Sequence, residues 1–284
     1  MSLLGRAELG AVQTEPYAHL EIMPALDWSL YEELQGSFPP LEVIAGGQEG
    51  YGSNQVVRLS AREVIDNAEI PKIWRDFFTY HVSKDWWGDI VRVMGRELRR
   101  SHPNIEARTG RALEDWRAIL RGDDGEAEVR LDCLFVYNTP VTQRSSVKGA
   151  HVDRADKIFS ALFYCRHRED DTPGGDLTIY RFAKTPVFDK HQVSTKRLED
   201  VGTIRYDTNK LFCFVNSLRS VHSVTEREVT LTPRRYVNLV VETPFKAFKV
   251  PQMNWASRLL YRRLHREWTR THQPDEWNRR SHSP

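Results

Sequence analysis

Gly149-Ala150-His151-Val152-Asp153 is the stretch that decides this sequence, together with His222 and the pair Arg234-Arg235 downstream of it. Two imidazoles and one carboxylate can hold a metal ion from one side and leave the opposite side open, the donor set of a mononuclear non-haem Fe(II) site. A His-x-Asp tripeptide in a chain with ten histidines carries little alone. Its surroundings carry more. The apolar run 158–165 follows His151 and the run 211–215 precedes His222, and both read as buried strands, so the candidate ligands fall at strand ends. A Gly174-Gly175 turn leads into another strand ending at Tyr180. Beyond His222, residues 235–241 alternate, with Val237, Leu239 and Val241 on one face. Arg235 shares that face and is expected to project into the metal cavity.

This order (His-x-Asp, a Gly-Gly turn, a distal His, then an Arg some twelve or thirteen residues on) resembles the 2-oxoglutarate and Fe(II)-dependent dioxygenases, in the style of their prolyl-4-hydroxylase-like branch. The resemblance covers about residues 129–242. It implies a double-stranded β-helix, or jelly roll, and with the N-terminal helical layer and C-terminal helix that the apolar spacing predicts, the expected fold class is α+β. The resemblance also implies Fe(II) held by His151, Asp153 and His222, with 2-oxoglutarate and O2 as co-substrates. An Arg would grip the distal carboxylate of 2-oxoglutarate in a bidentate pair. Two adjacent arginines occupy that position and point to opposite faces; the apolar alternation favours Arg235 over Arg234. A Tyr on the first jelly-roll strand often contacts the co-substrate in this family, which makes Tyr137 a candidate and Asn138 a weaker one; the alternative is a Tyr137 ring that fills core. Because Asp153 retains the carboxylate that related halogenases lack, the implied outcome is hydroxylation of an unactivated C–H bond with release of succinate and CO2.

Composition bounds this reading. The 284 residues suit one catalytic domain, with a mainly helical cover over 1–125, the jelly-roll core over 128–250, and a C-terminal helix and tail over 251–284. A formal net charge of +2 gives no global reason to expect a nucleic-acid partner. Cys133, Cys165 and Cys213 lie inside apolar runs without CxxC spacing, which points to buried reduced thiols. With no signal-peptide pattern and no stretch long enough to span a bilayer, the expectation is a cytoplasmic protein. The layout resembles members acting on small polar metabolites or glycan units; the rival readings are a hydroxylase of a protein side chain and a non-oxygenase, cupin-like metal-binding protein. A cupin would more usually supply three His and a Glu.

Along the chain, residues 1–14 show no period and read as a loose leader, 17–22 as a strand, and 27–34 as a helix capped by Asp27. The Gly-rich residues 45–53 read as a surface connection, with a loop over the site mouth as the alternative. Pro71 opens a helix with Ile73, Phe77 and Tyr80 at helical spacing, and Ser83 caps a second carrying Trp87, Ile90, Val91, Met94 and Leu98. Trp86-Trp87 reads as core, not as a sugar platform. A third helix is expected over 113–120. His167 and His265 also precede carboxylates, but one lies in a charged hairpin loop and the other in a basic helical stretch. That stretch, 255–268, repeats Leu260, Leu264 and Trp268 at i, i+4, i+8 among four arginines, and is expected to pack on its own body or a second subunit in a homodimer, ahead of a membrane surface.

Overall fold

The computed structural model describes residues 1–8, 10–47, 50–252, 255, 256 and 259. The expected C-terminal helix therefore lies almost wholly outside the described residues, as does His265. In chain order come strand β1 (His19–Ile22), helices α1 (Trp28–Gly36) and α2 (Leu41–Ile44), and strand β2 (Val56–Leu59). Helices α3 (Ala61–Asp66), α4 (Lys72–His81), α5 (Lys84–Ser101) and α6 (Ile105–Thr109) follow. The strands then take over: β3 (Ala118–Leu120), β4 (Val129–Asn138), β5 (Lys157–Cys165), β6 (Leu177–Phe182), β7 (Phe188–Asp189), β8 (Gln192–Val193), β9 (Leu198–Ile204), β10 (Thr208–Val215), β11 (His222–Val224) and β12 (Arg234–Glu242).

Side-chain caps start α5 and α3, whereas Asp27 stands at the N-cap of α1 without a side-chain cap bond, and α2, α4 and α6 likewise start without one. In α5 the Ser83 hydroxyl accepts from the Trp86 amide, and Trp86, Trp87, Ile90, Val91, Met94 and Leu98 are buried on one face. Trp87 stacks on Trp116 at 5.6 Å, and its indole N–H donates to the Leu113 carbonyl. A Ser60/Glu63 capping box starts α3.

Seven strands make the larger sheet, in the order β1-β10-β5-β12-β4-β2 with β3 alongside β4. Three make the smaller, β11-β6-β9, and β7-β8 form a separate pair. The result is a sheet-rich α+β fold. Both faces of the larger sheet are buried, for different reasons. One face carries Leu131, Cys133, Phe135, Phe163, Leu211, Val237, Leu239 and Val241 into a single apolar cluster with α1, α3, α4 and α5. The other carries Tyr164, Phe212, Phe214 and Tyr236 against Leu177, Ile179 and Ile204 of the smaller sheet. The first interior mixes aliphatic side chains with indole and phenyl rings such as Trp74, Phe77, Phe135 and Phe163; the second carries more polar-edged rings, among them Tyr17, Tyr164 and Tyr206.

Two expectations fail. Residues 1–14 are not a loose leader: Leu3 and Leu4 are fully buried, the Leu3 amide donates to His81 Nε2, and Arg92 donates to the Leu4 carbonyl. Residues 113–120 are not a helix. Leu113–Asp115 form one 3-10 turn and Ala118–Leu120 pair in parallel with Val129–Leu131, so strand pairing overrides the local helical spacing. The three cysteines are free and buried, as expected.

Candidate metal centre

His151 and His222 face one another across an antiparallel bridge, each amide donating to the other's carbonyl at 3.0 Å. This exchange fixes both Cα atoms before any side chain is considered. The rings meet at a centroid separation of 4.2 Å. Each Nδ1 is held by the backbone two residues upstream, His151 on the Gly149 carbonyl at 2.8 Å and His222 on the Ser220 carbonyl at 2.9 Å. A carbonyl only accepts, so each Nδ1 carries the proton and each Nε2 keeps its lone pair. Asp153 Oδ1 lies 3.7 Å from His151 Nε2, and one ligand atom from each of the three residues falls within 4.8 Å of the others. Two Nε2 lone pairs and a carboxylate oxygen on one side fit a divalent metal of the iron type.

The electrostatics agree with that use. Burial drives the His151 pKa down to about 3, with help from the charges of Lys148 and His222. Burial also lowers His222. Burial works against the Asp153 charge, but Lys157, the contact with His151 and the nearby His222 and Lys148 outweigh it and hold the carboxyl well below the ordinary range. Neutral imidazoles beside an ionised carboxylate are the protonation states a metal requires. The far oxygen, Asp153 Oδ2, accepts from the Ser160 hydroxyl at 3.1 Å, and Ser160 accepts from the Asn216 amide at 2.7 Å.

The two arginines separate as opposite-face neighbours should. Arg234 is 3% exposed and faces the space between the sheets. Its Nε donates to the Gly175 carbonyl at 2.8 Å, and its guanidinium lies over the rings of Tyr236, Tyr206 and Tyr164 at 4.5, 4.8 and 5.3 Å. Among the described residues no carboxylate pairs with it. Arg235 lies on the other face, over Phe38 of the helical layer at 4.8 Å. The expected placement of Arg235 in the metal cavity is thus corrected. Apolar alternation marked the face that packs on helices, and the cavity face is the more polar one. Tyr137, directly opposite Arg235 in the β4–β12 register, is corrected with it and packs against the helical core. Asn138, opposite Arg234, is the inward residue, with Nη1 of Arg234 at 3.4 Å from its Oδ1.

Several residues of this interior were not singled out from sequence. The buried hydroxyls of Tyr17 and Tyr164, the Asn138 amide nitrogen, and Nε and Nη1 of Arg227 find no hydrogen-bond partner among the described residues. The Tyr17 phenol is pushed up by burial and then by the nearby Asp153 and Tyr164. Its ring meets Phe214, which in turn meets His222 at 5.0 Å. Arg227 is paired with Asp170 at 2.7 Å. Unsatisfied donors around a cation without a carboxylate call for a ligand rich in acceptor oxygens. The readable signal was polar residues at alternate positions of apolar strands, such as Ser160 and Tyr164 in β5. Gly175 is needed at its place: with φ of +78°, a Cβ there would sit 3.0 Å from Arg234 Cδ. His167, the other histidine weighed as a ligand, is exposed on its loop.

No protein-family model matches this sequence, and no curated protein matches it. Among solved structures it is similar to a Pseudomonas putida prolyl-4-hydroxylase, with 11% identity over 80% of this chain and 93% of that one and a TM-score of 0.44. It is similar to the epimerase SnoN in complex with Fe3+, alpha ketoglutarate and nogalamycin RO, with 11% identity over 79% and 78% and a TM-score of 0.44. It is also similar to the dioxygenase for auxin oxidation from Arabidopsis thaliana with 2-oxoglutarate, with 13% identity over 80% and 84% and a TM-score of 0.41. At such scores the functional assignment rests on this chain's own residues.

Proposed function

We propose that this chain is an Fe(II)- and 2-oxoglutarate-dependent dioxygenase on a double-stranded β-helix, hydroxylating an unactivated C–H bond of a small polar metabolite or glycan unit. One observation carries the reading: two tautomer-fixed histidines and a carboxylate converge at the end of an intersheet space that also holds a buried guanidinium without a carboxylate partner. His151, Asp153 and His222 hold the metal from one side, leaving the other side for ligands. Arg234 grips the distal carboxylate of 2-oxoglutarate, and the Asn138 amide and Tyr164 hydroxyl are placed to donate to its oxygens. The aromatic walls from Tyr17, Phe212, Phe214 and Tyr236 exclude water, which strengthens each of those contacts. Iron held by His151, Asp153 and His222 would supply O2 activation coupled to oxidative decarboxylation of the keto acid, one oxygen atom entering succinate as CO2 leaves and the other going to the substrate.

The substrate class follows from the sequence resemblance, and a one-domain cytoplasmic protein is the proposed setting. Reduced buried cysteines support that setting, and no described helix is long and apolar enough to cross a membrane. The test is succinate release from 2-oxoglutarate by aerobic, iron-loaded protein, first alone and then with pooled metabolites and glycans. Release that depends on O2 and on His222 supports the reading; none under any condition overturns it.

A further inference from the structure

We propose that Ser160 and Asn216 form a latch that holds Asp153 to a single metal-facing oxygen. The inference deepens the metal-site reading above and rests on it. Its basis is the direction of two hydrogen bonds. The Asn216 side-chain nitrogen can only donate, so Ser160 Oγ accepts from it at 2.7 Å. The one hydroxyl proton of Ser160 is then free to go to Asp153 Oδ2 at 3.1 Å, which as a carboxylate only accepts. Oδ2 is engaged by the protein, while Oδ1 lies on the His151 side.

The latch has a rigid base. Asn216 is fully buried; its amide donates to the Ile158 carbonyl at 2.9 Å, and its own carbonyl accepts from His102 Nε2 at 2.8 Å. His102 caps the C-terminal end of α5, so the helical layer braces the carboxylate through the sheet. Asn216 also opens the segment 216–221 that leads to His222, whose Nδ1 is held by Ser220 of that segment. One short stretch thereby fixes two of the three ligands. A carboxylate free to swing would bring both oxygens to the metal and close a position that the keto acid needs. Ser160 and Asn216 are positioning residues that touch neither metal nor substrate.

The experiment titrates Co(II) into the full-length protein and records the infrared spectrum of Co(II)-loaded minus apo protein. The separation of the two carboxylate stretches is wide for ligation through one oxygen and narrow for two. The wild-type protein should show the wide pattern. Ser160→Ala and Asn216→Ala should narrow it and weaken Co(II) binding by roughly tenfold or more, the usual effect of losing an outer hydrogen bond to a ligand. Ser160→Thr keeps the hydroxyl and should keep both readouts. A narrow pattern in the wild-type protein overturns the latch, and that reading needs no variant to fold. So does Co(II) affinity within about twofold of wild type in both alanine variants. Wild-type protein that binds Co(II) no better than His222→Ala overturns the metal site itself, and the latch with it.

Discussion

Replacing Arg234 tests the site most directly, because the structure and the apolar alternation of β12 point to different arginines. The guanidinium of Arg234 is buried among three tyrosine rings and pairs with no carboxylate among the described residues, and on the proposed reading a bound dianion would be that partner. Removing one member of such a desolvated pair costs about 3–5 kcal/mol, which is roughly 10²- to 10³-fold or more in affinity. Arg234→Gln should therefore raise the dissociation constant of 2-oxoglutarate for Co(II)-loaded protein by about that factor, measured calorimetrically. Arg235→Gln should leave it within about threefold, since that side chain lies over Phe38 on the helical face, on the side of β12 away from the metal trio, although its Nε and Nη2 also lack a hydrogen-bond partner among the described residues. Thermal melting gives an independent reading. A ligand at a hundred times its dissociation constant stabilises by about 2.7 kcal/mol, or roughly 4–5 °C for a domain of this size. Wild-type and Arg235→Gln proteins should show that shift at a concentration where Arg234→Gln shows none. Reversal of the ranking, or a wild-type affinity in Arg234→Gln, would refute the inward assignment of Arg234.

Single alanine substitutions at His151, Asp153 and His222 should leave a folded protein that binds Co(II) at least tenfold more weakly; near-normal binding by His222→Ala would dissolve the trio. Gly175→Ala should weaken 2-oxoglutarate binding more than Co(II) binding, because the added Cβ presses on Arg234 Cδ and not on a ligand. Equal losses in both would place the strain at the metal instead. Stability of the metal-free protein should fall with acid. Burial depresses the pKa of His151, and of His81 in the helical core, to about 3, below the unfolded value near 6.5. Above pH 6.5 both states hold these imidazoles neutral; as pH falls, the unfolded chain takes up protons first, and stability drains between about 6.5 and 3. At pH 5 each such histidine costs about 2 kcal/mol, so urea midpoints should fall markedly between pH 7.5 and 5. A flat profile would mean that these rings are not held neutral.

Ligand order was legible in the sequence because chemistry chooses those residue types and the apolar runs beside them mark strand ends: His151, Asp153 and His222 stand out by their order next to those runs. Ser83 as a cap and the Trp86–Leu98 stripe were legible because a helix start and its buried face are local. What the sequence by itself could not decide was which face of β12 meets the metal. Period-two alternation reports the more apolar face, and that is the functional face only when the other is solvated. Here the larger sheet is buried on both sides. The apolar face of Val237, Leu239 and Val241 packs on helices, carrying Arg235 and Tyr137 with it. Arg234, Asn138, Ser160 and Tyr164 turn towards the second sheet. The burial of residues 3 and 4 was hidden because their partners, His81 and Arg92, lie far along the chain, and β3 was hidden because its apolar residues fit a helical spacing until β4 pairs beside them. The sequence determined which atoms could bind a metal. Only the stacking of two sheets beneath a helical layer decided which arginine, and which hydroxyls, stand beside them.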